Sequence, residues 1–89
     1  MSIKTFSIGP QKATEIAAQW QRKAEENFDK WDDPGVEALA LAIAEESGEI
    51  ARAVLDFIHS GKPKARITEE THDLAALCFQ MLDSLGYTQ

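Results

Sequence analysis

The chain is poor in residues that cross-link or interrupt a fold. It contains one cysteine, three prolines and five glycines among 89 residues. The single cysteine, Cys78, excludes an internal disulfide, and no residue near it has metal-ligand spacing. We therefore expect Cys78 to be a thiol of the protein core in a reducing compartment. The length allows a single domain, residues 1–89, and the hydrophobic fraction of 44% is typical of a globular protein.

Long apolar runs and positive charges are also scarce. No apolar run approaches the roughly 18 residues of a membrane-spanning helix, and the first ten residues lack the charged-then-apolar order of a signal peptide. The net charge of −6 disfavours a nucleic-acid polymer, whose binding depends on Lys and Arg displacing counterions. A phosphate-bearing small molecule is compatible with this charge if metal ions bridge it to carboxylates. We expect a cytoplasmic protein that neither spans a membrane nor binds a nucleic-acid polymer.

Apolar residues recur every three to four positions in three segments, which predicts three amphipathic helices and no strand. The predicted ranges are residues 11–30, 34–60 and 68–85. Asp33 as N-cap and Pro34 as the first helical residue would begin the second helix, and Gly61 would end it. Thr68 is the predicted N-cap of the third helix, and Gly86 stands where a C-terminal glycine would end it.

The second predicted helix has more apolar surface than one neighbour can cover. Leu41 and Leu55 lie well outside its main stripe. That stripe consists of Val36, Ala40, Ile43, Ile50, Val54 and Phe57. A helix with apolar residues on two sides is buried on two sides. We therefore expect an all-α, long-helix antiparallel bundle whose four-helix core is completed by homo-oligomerisation, as a dimer or a tetramer.

Two pairs of acidic residues share the same three-residue spacing. Glu46 and Glu49 lie on the second predicted helix, and Glu70 and Asp73 lie on the third. Residues three apart share a side of a helix, so each pair offers two carboxylates to one point. Glu70 falls inside the apolar arc of its helix, where a carboxylate must be protonated, paired or bound to metal. Carboxylate oxygens suit hard cations such as Mg²⁺, which can orient a water for attack on phosphorus.

A solvated acidic surface is the alternative interpretation of these residues. Fifteen acidic residues in a helical chain produce an E-x-x-E spacing by chance quite often. Glu46 and Glu49 alone are therefore weak evidence for a metal site. The second pair, with an inward-facing Glu70, makes the joint pattern more specific and favours the metal site.

The acidic motifs resemble the signature of a known enzyme superfamily. Residues 39–51, LALAIAEESGEIA, followed by residues 69–74, EETHDL, are similar to the E-E-x-x-E and E-x-x-D motifs of the MazG-like, all-α nucleoside triphosphate pyrophosphatases. The resemblance covers about residues 20–85. It implies Mg²⁺-dependent hydrolysis of the bond between the α- and β-phosphates of a nucleotide, as in dimeric dUTPases and dCTP pyrophosphatases.

The resemblance also implies roles for individual residues. Glu46, Glu49, Glu70 and Asp73 would be the magnesium ligands, and one of the three glutamates would help deprotonate the attacking water. Glu45 matches the first glutamate of the signature, but by helical angle it points away from Glu70, which leaves its role open.

Substrate contacts are predicted on either side of the acidic motifs. Lys62, Lys64 and Arg66 form the only basic cluster, and Arg66 is foremost because it stands one helical turn before Glu70. The alternative for these three is a solvated loop.

Aromatic residues before Pro34 are the candidates for contact with the nucleobase. The resemblance to dCTP pyrophosphatase-like relatives implies such a contact from Trp31 or Phe28. The alternative is that both belong to the core, as aromatic residues at helical spacing usually do. His59 and His72 lack a partner nearby in the sequence and are predicted at the surface.

These observations lead to one leading hypothesis and two alternatives. The leading hypothesis is a homo-oligomeric, Mg²⁺-dependent nucleoside triphosphate pyrophosphohydrolase. The first alternative is phosphoribosyl-ATP pyrophosphatase, although that subfamily's Ser-Tyr-Thr-type segment is not found upstream of the first motif. The second alternative is a non-catalytic helical interaction module of the same fold.

Overall fold

Three α-helices and their connections make up the part of the chain that the structure describes. The structure is a computed structural model, and it describes residues 6–32 and 34–86. The helices are α1 (Pro10–Trp31), α2 (Val36–Ser60) and α3 (Ala65–Ser84). No strand occurs in the described ranges, so the all-α prediction is confirmed. None of these helices combines the length and the apolar character needed to cross a membrane.

The third helix is the centre of the fold. It packs against both α1 and α2, whereas these two helices do not pack on each other within the described residues. The described part of the chain is therefore an open layer of helices with α3 in the middle. Closure into the predicted four-helix bundle would require a second copy of the chain.

The first predicted helix agrees with α1 to one residue at each end, but the predicted starts of the other two are wrong. Helix α2 begins at Val36 because the Gly35 carbonyl accepts the first helical hydrogen bond, from the Leu39 N–H at 3.1 Å. Pro34 precedes the helix, and Asp33, the predicted N-cap, lies outside the described residues.

Helix α3 begins at Ala65, three residues before the predicted N-cap Thr68. The Lys64 carbonyl accepts hydrogen bonds from the N–H groups of Ile67 and Thr68 at 2.9 and 3.3 Å. Helical pairing thus starts directly after Pro63, and Thr68 is an interior residue. The added turn places Arg66 on the helix.

The predicted helix ends agree with the structure. Gly61 follows α2 with a left-handed backbone, φ 66°, and its N–H donates to the Asp56 carbonyl. Gly86 follows α3 with φ 74°, and its N–H donates to the Asp83 carbonyl at 3.0 Å. Glycine adopts this region without the steric cost that a Cβ atom would add.

The side of α2 that faces α3 differs from the predicted apolar stripe. Its buried residues are Leu39 and Ala53, whereas Val36 and Phe57 of the predicted stripe are exposed. The small side chain of Ala53 allows a close approach of α3 on that side. Because seven residues are nearly two helical turns, Glu46, halfway between Leu39 and Ala53, shares their face. The helix contact therefore includes a carboxylate.

The core is thin. Leu39, Ala53, Ala76 and Leu77 are the buried apolar residues of the described chain, and Gln80 is the buried polar one. Cys78 is exposed, so its predicted core position is wrong. The buried residues of α3 are Ala76, Leu77 and Gln80, and Cys78 lies about 200° from Ala76 around the helix axis.

Helix α1 has no buried residue, and polar contacts join it to α3. The Trp20 indole N–H donates to Nδ1 of His72 at 2.7 Å, and the Asn27 side-chain amide donates to Oε1 of Gln80 at 3.0 Å. The Trp20 ring also meets Phe79 edge-on, with ring centroids 5.7 Å apart. The prediction of a surface position is thus wrong for His72, because α1 partly covers it. His59 is exposed, as predicted.

We predict that Leu39→Ala lowers the free energy of unfolding by about 2–4 kcal/mol, because it removes a fully buried side chain at the α2–α3 contact. Leu85→Ala is the matched control, since Leu85 is 65% exposed. It should cost less than about 1 kcal/mol. Urea denaturation at one protein concentration measures both. Equal losses for the two variants would contradict the packing described for Leu39.

Candidate metal centre

Three of the four predicted carboxylates meet at the contact between α2 and α3. Glu46, Glu70 and Asp73 each offer one oxygen, and these oxygens lie within 4.8 Å of one another. Glu70 lies seven residues before the buried Leu77, which directs it toward the packed side of α3. We call these three residues the acidic triad. Each is half-buried, and acidic groups that reach solvent are common in proteins without a metal ion.

The fourth predicted ligand, Glu49, stands apart from the acidic triad. Its Oε2 lies 3.6 Å from Nη2 of Arg66, and Nη1 of the same guanidinium lies 3.4 Å from Oδ2 of Asp56. Glu49 is displaced from Glu46 by about 60° around α2, toward Arg66 on the first turn of α3. In this structure Arg66 of α3 therefore contacts two carboxylates of α2.

The electrostatics of the acidic triad centre on Glu46. Burial raises its pKa from 4.5 to about 7, together with a hydrogen bond to Glu70 and the negative charges of Glu70, Asp73 and Glu49. Its Oε2 is buried without a hydrogen-bond partner among the described residues. A buried polar atom without a partner requires a physical explanation. A hard cation would satisfy this oxygen and relieve the repulsion, so the residues present fit Mg²⁺.

A lysine that the sequence interpretation did not consider reaches the acidic triad from α1. The Lys23 ammonium forms an ion pair with Oδ1 of Asp73. This pairing with Asp73 raises the pKa of Lys23, although burial alone would lower it, and the charges of Glu26 and Glu46 act in the same direction as Asp73. Lys23 lies three residues after Trp20 and four before Asn27, so it shares the face of α1 that packs on α3. That spacing is the sequence signal that could have identified it.

The other predicted substrate contacts do not gather at the acidic triad. Lys62 and Lys64 are exposed and form no ion pair with a described residue. Phe28 and Trp31 are each 46% exposed, so the alternative that they belong to the core is wrong for this chain by itself. Glu45 is exposed next to Glu46, in agreement with its outward helical angle.

An open cavity of about 670 Å³ lies between α1 and α3. Its lining residues are Gln21, Ala24, Glu25, Phe28 and Asp29 from α1 and Phe79, Gln80 and Asp83 from α3. Phe28 and Phe79 supply aromatic walls, and the buried Gln80 supplies an amide. Gln80 follows Asp73 by seven residues, which corresponds to about 10 Å along α3. The volume is within the range of small-molecule sites.

Comparison of the chain with protein-family models, with curated proteins and with solved structures finds no match. Membership in the MazG-like superfamily therefore stays a prediction that rests on the acidic motifs. The geometry of the acidic triad is independent of that resemblance.

We predict that Glu46 makes the metal-free protein less stable as the pH rises from 5 to 8. The folded protein holds the Glu46 proton up to a pKa of about 7, whereas the unfolded chain releases it near 4.5. The stabilising contribution is therefore full below pH 4.5 and is lost as the pH passes through 7. Denaturation of the wild type and Glu46→Gln at each pH, with a metal chelator present, isolates this effect. A pH-independent stability difference between the two proteins would contradict the assignment.

Proposed function

We propose that the protein is a Mg²⁺-dependent nucleoside triphosphate pyrophosphohydrolase of the MazG-like type. It would cleave the α–β phosphoanhydride bond of a nucleotide and release a monophosphate and pyrophosphate. The observation that carries the proposal is the convergence of Glu46, Glu70 and Asp73 at one helix contact, with an unpartnered buried oxygen on Glu46. Carboxylates that are brought together at a helix contact repel one another and lose hydration, and a bound cation would offset this cost.

Each carboxylate has a distinct part in this proposal. Glu46, Glu70 and Asp73 would hold the metal, with Glu49 joining after its separation from Arg66. Bound Mg²⁺ would neutralise phosphate charge and polarise a coordinated water. One of the three predicted catalytic glutamates, Glu46, Glu49 or Glu70, would accept a proton from the attacking water.

The phosphate chain would be held by basic residues that flank the acidic triad. Arg66 is one helical turn before Glu70 on α3, and it is 41% exposed, so its guanidinium is accessible to a ligand. Its planar fork pairs bidentately with phosphate oxygens as well as with carboxylates. Lys62 and Lys64 in the α2–α3 connection would add point charges farther out.

The nucleobase would enter the cavity between α1 and α3. Phe28 lines this cavity, which fits its predicted role as an aromatic contact to the base. The cavity lies about 10 Å along α3 from Asp73, a separation that leaves room for a sugar between base and phosphates. Trp31 stands one turn after Phe28 at the end of α1 and would contact the same ligand from the rim.

Self-association would cover the outward side of α2. Leu41, Leu55 and Ile58 are 69%, 55% and 62% exposed, and they lie on the side of α2 that α3 does not cover. Ala44, Gly48 and Ala51, on the same side, would let another helix approach closely. We propose that a second copy of the chain packs here and completes a four-helix core.

We predict that Glu70→Gln lowers Mg²⁺-dependent pyrophosphate release by about 100-fold or more, because metal-ion stabilisation amounts to several kcal/mol. Glu69→Gln, an exposed neighbour with the same change of charge, should retain activity. The measurement is pyrophosphate release from a panel of ribo- and deoxynucleoside triphosphates, with and without Mg²⁺. Mg²⁺ should also raise the melting temperature of the wild type and Glu69→Gln, but not that of Glu70→Gln.

The same assay, with phosphoribosyl-ATP added to the panel, separates the alternatives. Turnover of phosphoribosyl-ATP alone would replace the proposed substrate class. Absence of both turnover and Mg²⁺ stabilisation would favour the helical interaction module. Full activity in Glu70→Gln would refute the site assignment.

We predict that the wild type sediments as a dimer or tetramer and that Leu55→Glu sediments as a monomer. A charge placed at a packed helix interface loses solvation without gaining a partner. Ile8→Glu is the control, since Ile8 is 51% exposed at the other end of the chain and lies outside α2. Sedimentation velocity at several protein concentrations distinguishes the species. A monomeric wild type, or a Leu55→Glu variant that assembles unchanged, would contradict the assembly.

A further inference from the structure

We propose that Lys23 is the resident cation of the acidic triad, displaced from Asp73 when a divalent ion binds and then paired with a phosphate oxygen of the substrate. The inference deepens the proposed function and rests on it, since it requires a divalent ion at the acidic triad. It assigns a substrate-binding residue to α1. The acidic motifs that imply the metal ligands lie outside that helix.

The position of Lys23 is fixed by the packing of α1 on α3. The Trp20–His72 and Asn27–Gln80 hydrogen bonds lie one turn before and one turn after it. The backbone between these two contacts is therefore held against α3. The side chain reaches Asp73 from this position while remaining 43% exposed. A fixed backbone and a flexible, partly exposed side chain allow the ammonium to exchange partners without movement of the helix.

A divalent ion at the acidic triad would compete with the Lys23 ammonium. Asp73 is both the ion-pair partner of Lys23 and a member of the triad. Two cations that contact one carboxylate repel each other, and a partly buried site screens this repulsion poorly. Metal binding therefore weakens the Lys23–Asp73 pair, and Lys23 in turn opposes metal binding.

A displaced Lys23 ammonium needs an anionic partner, because it has three hydrogen-bond donors and no acceptor. A metal-bound phosphate chain would bring anionic oxygens to the same place. In the described chain no other basic side chain forms an ion pair with the acidic triad, since Arg66 pairs with Glu49 and Asp56. The exchange of Asp73 for phosphate would couple metal binding to substrate binding. Metal alone would then bind weakly, and metal with a phosphate ligand would bind tightly.

This mechanism predicts effects of opposite sign in one variant. Lys23→Met should bind Mg²⁺ alone about tenfold more tightly, because the competing cation is gone, and Mg²⁺ with inorganic pyrophosphate about tenfold more weakly. Lys12→Met is the control, since Lys12 is on the same helix, pairs with the nearby Glu15 in the described chain, and loses the same charge. Lys23→Arg should keep the wild-type order of affinities. Isothermal titration calorimetry measures each constant directly, without turnover.

A purely structural ion pair gives a different result. In that case Lys23→Met would weaken both titrations and lower the melting temperature. Equal or weaker binding of Mg²⁺ alone by Lys23→Met would overturn the inference. Lys23→Gln, which can still donate a hydrogen bond to Asp73, replaces the methionine variant if that variant unfolds.

Failure of the proposed function has its own signature. Wild type and Glu70→Gln would then show the same Mg²⁺ titration, because the acidic triad would hold no metal. That outcome would overturn the exchange as well. A Mg²⁺ titration that depends on Glu70 but is unchanged by Lys23→Met would overturn the exchange alone.

Discussion

The repulsion among three carboxylates at the contact of α2 and α3 is the constraint on which the rest of the structure depends. Glu46 and Glu70 each share a helix face with a core leucine, Leu39 and Leu77, so burying the apolar residues also brings the carboxylates together. The thin core cannot exclude them, because few other apolar residues are available to pack there. In the described chain the Lys23 ammonium pairs with Asp73, and burial and the neighbouring carboxylates raise the pKa of Glu46 to about 7, which favours its neutral form.

Ion pairs of Lys23 and Arg66 also connect the helices. Lys23 pairs with Asp73 and thereby joins α1 to α3, while Arg66 pairs with Glu49 and Asp56 and joins α3 to α2. Ion pairs with partly exposed partners contribute little to stability, so they orient the helices more than they hold them together. The Trp20 and Asn27 hydrogen bonds join buried or half-buried groups, so they contribute more to stability on the α1 side.

The sequence was most informative where helical periodicity alone decides the geometry. The three-residue spacing of Glu70 and Asp73, and the seven-residue spacing of Glu70 from Leu77, place these side chains without knowledge of the neighbouring helix. Lys23 and His72 could not be placed in this way, because their environment depends on which face of α3 is covered by α1. The same reason explains the error at Cys78, whose apolar neighbours along the helix do not show that its side is uncovered.

Errors in the helix starts and in the apolar stripe of α2 have local causes. The Gly35 carbonyl accepts the first helical hydrogen bond of α2, so the helix begins two residues after Pro34. Helix α3 is one turn longer at its start than predicted, because a helix can begin directly after Pro63. The predicted stripe contains Val36 and Phe57, which are exposed, whereas α3 packs on the side of Leu39 and Ala53, where the small alanine allows a close approach. As a result, Glu46 lies in the middle of the α2–α3 contact and not at its flank.

The extra turn of α3 links these local features to the proposed chemistry. With a start at Thr68, Arg66 would belong to the connection and could not bridge Glu49 and Asp56 from a fixed helical position. With the observed start at Ala65, Arg66 and Glu70 are on one side of one helix, four residues apart. A basic group and a carboxylate at this spacing would bind a phosphate oxygen and its metal counterion side by side. Lys23 supplies a second basic group from α1 through its ion pair with Asp73. In the proposed mechanism, Arg66 and Lys23 would each exchange a carboxylate for a phosphate oxygen.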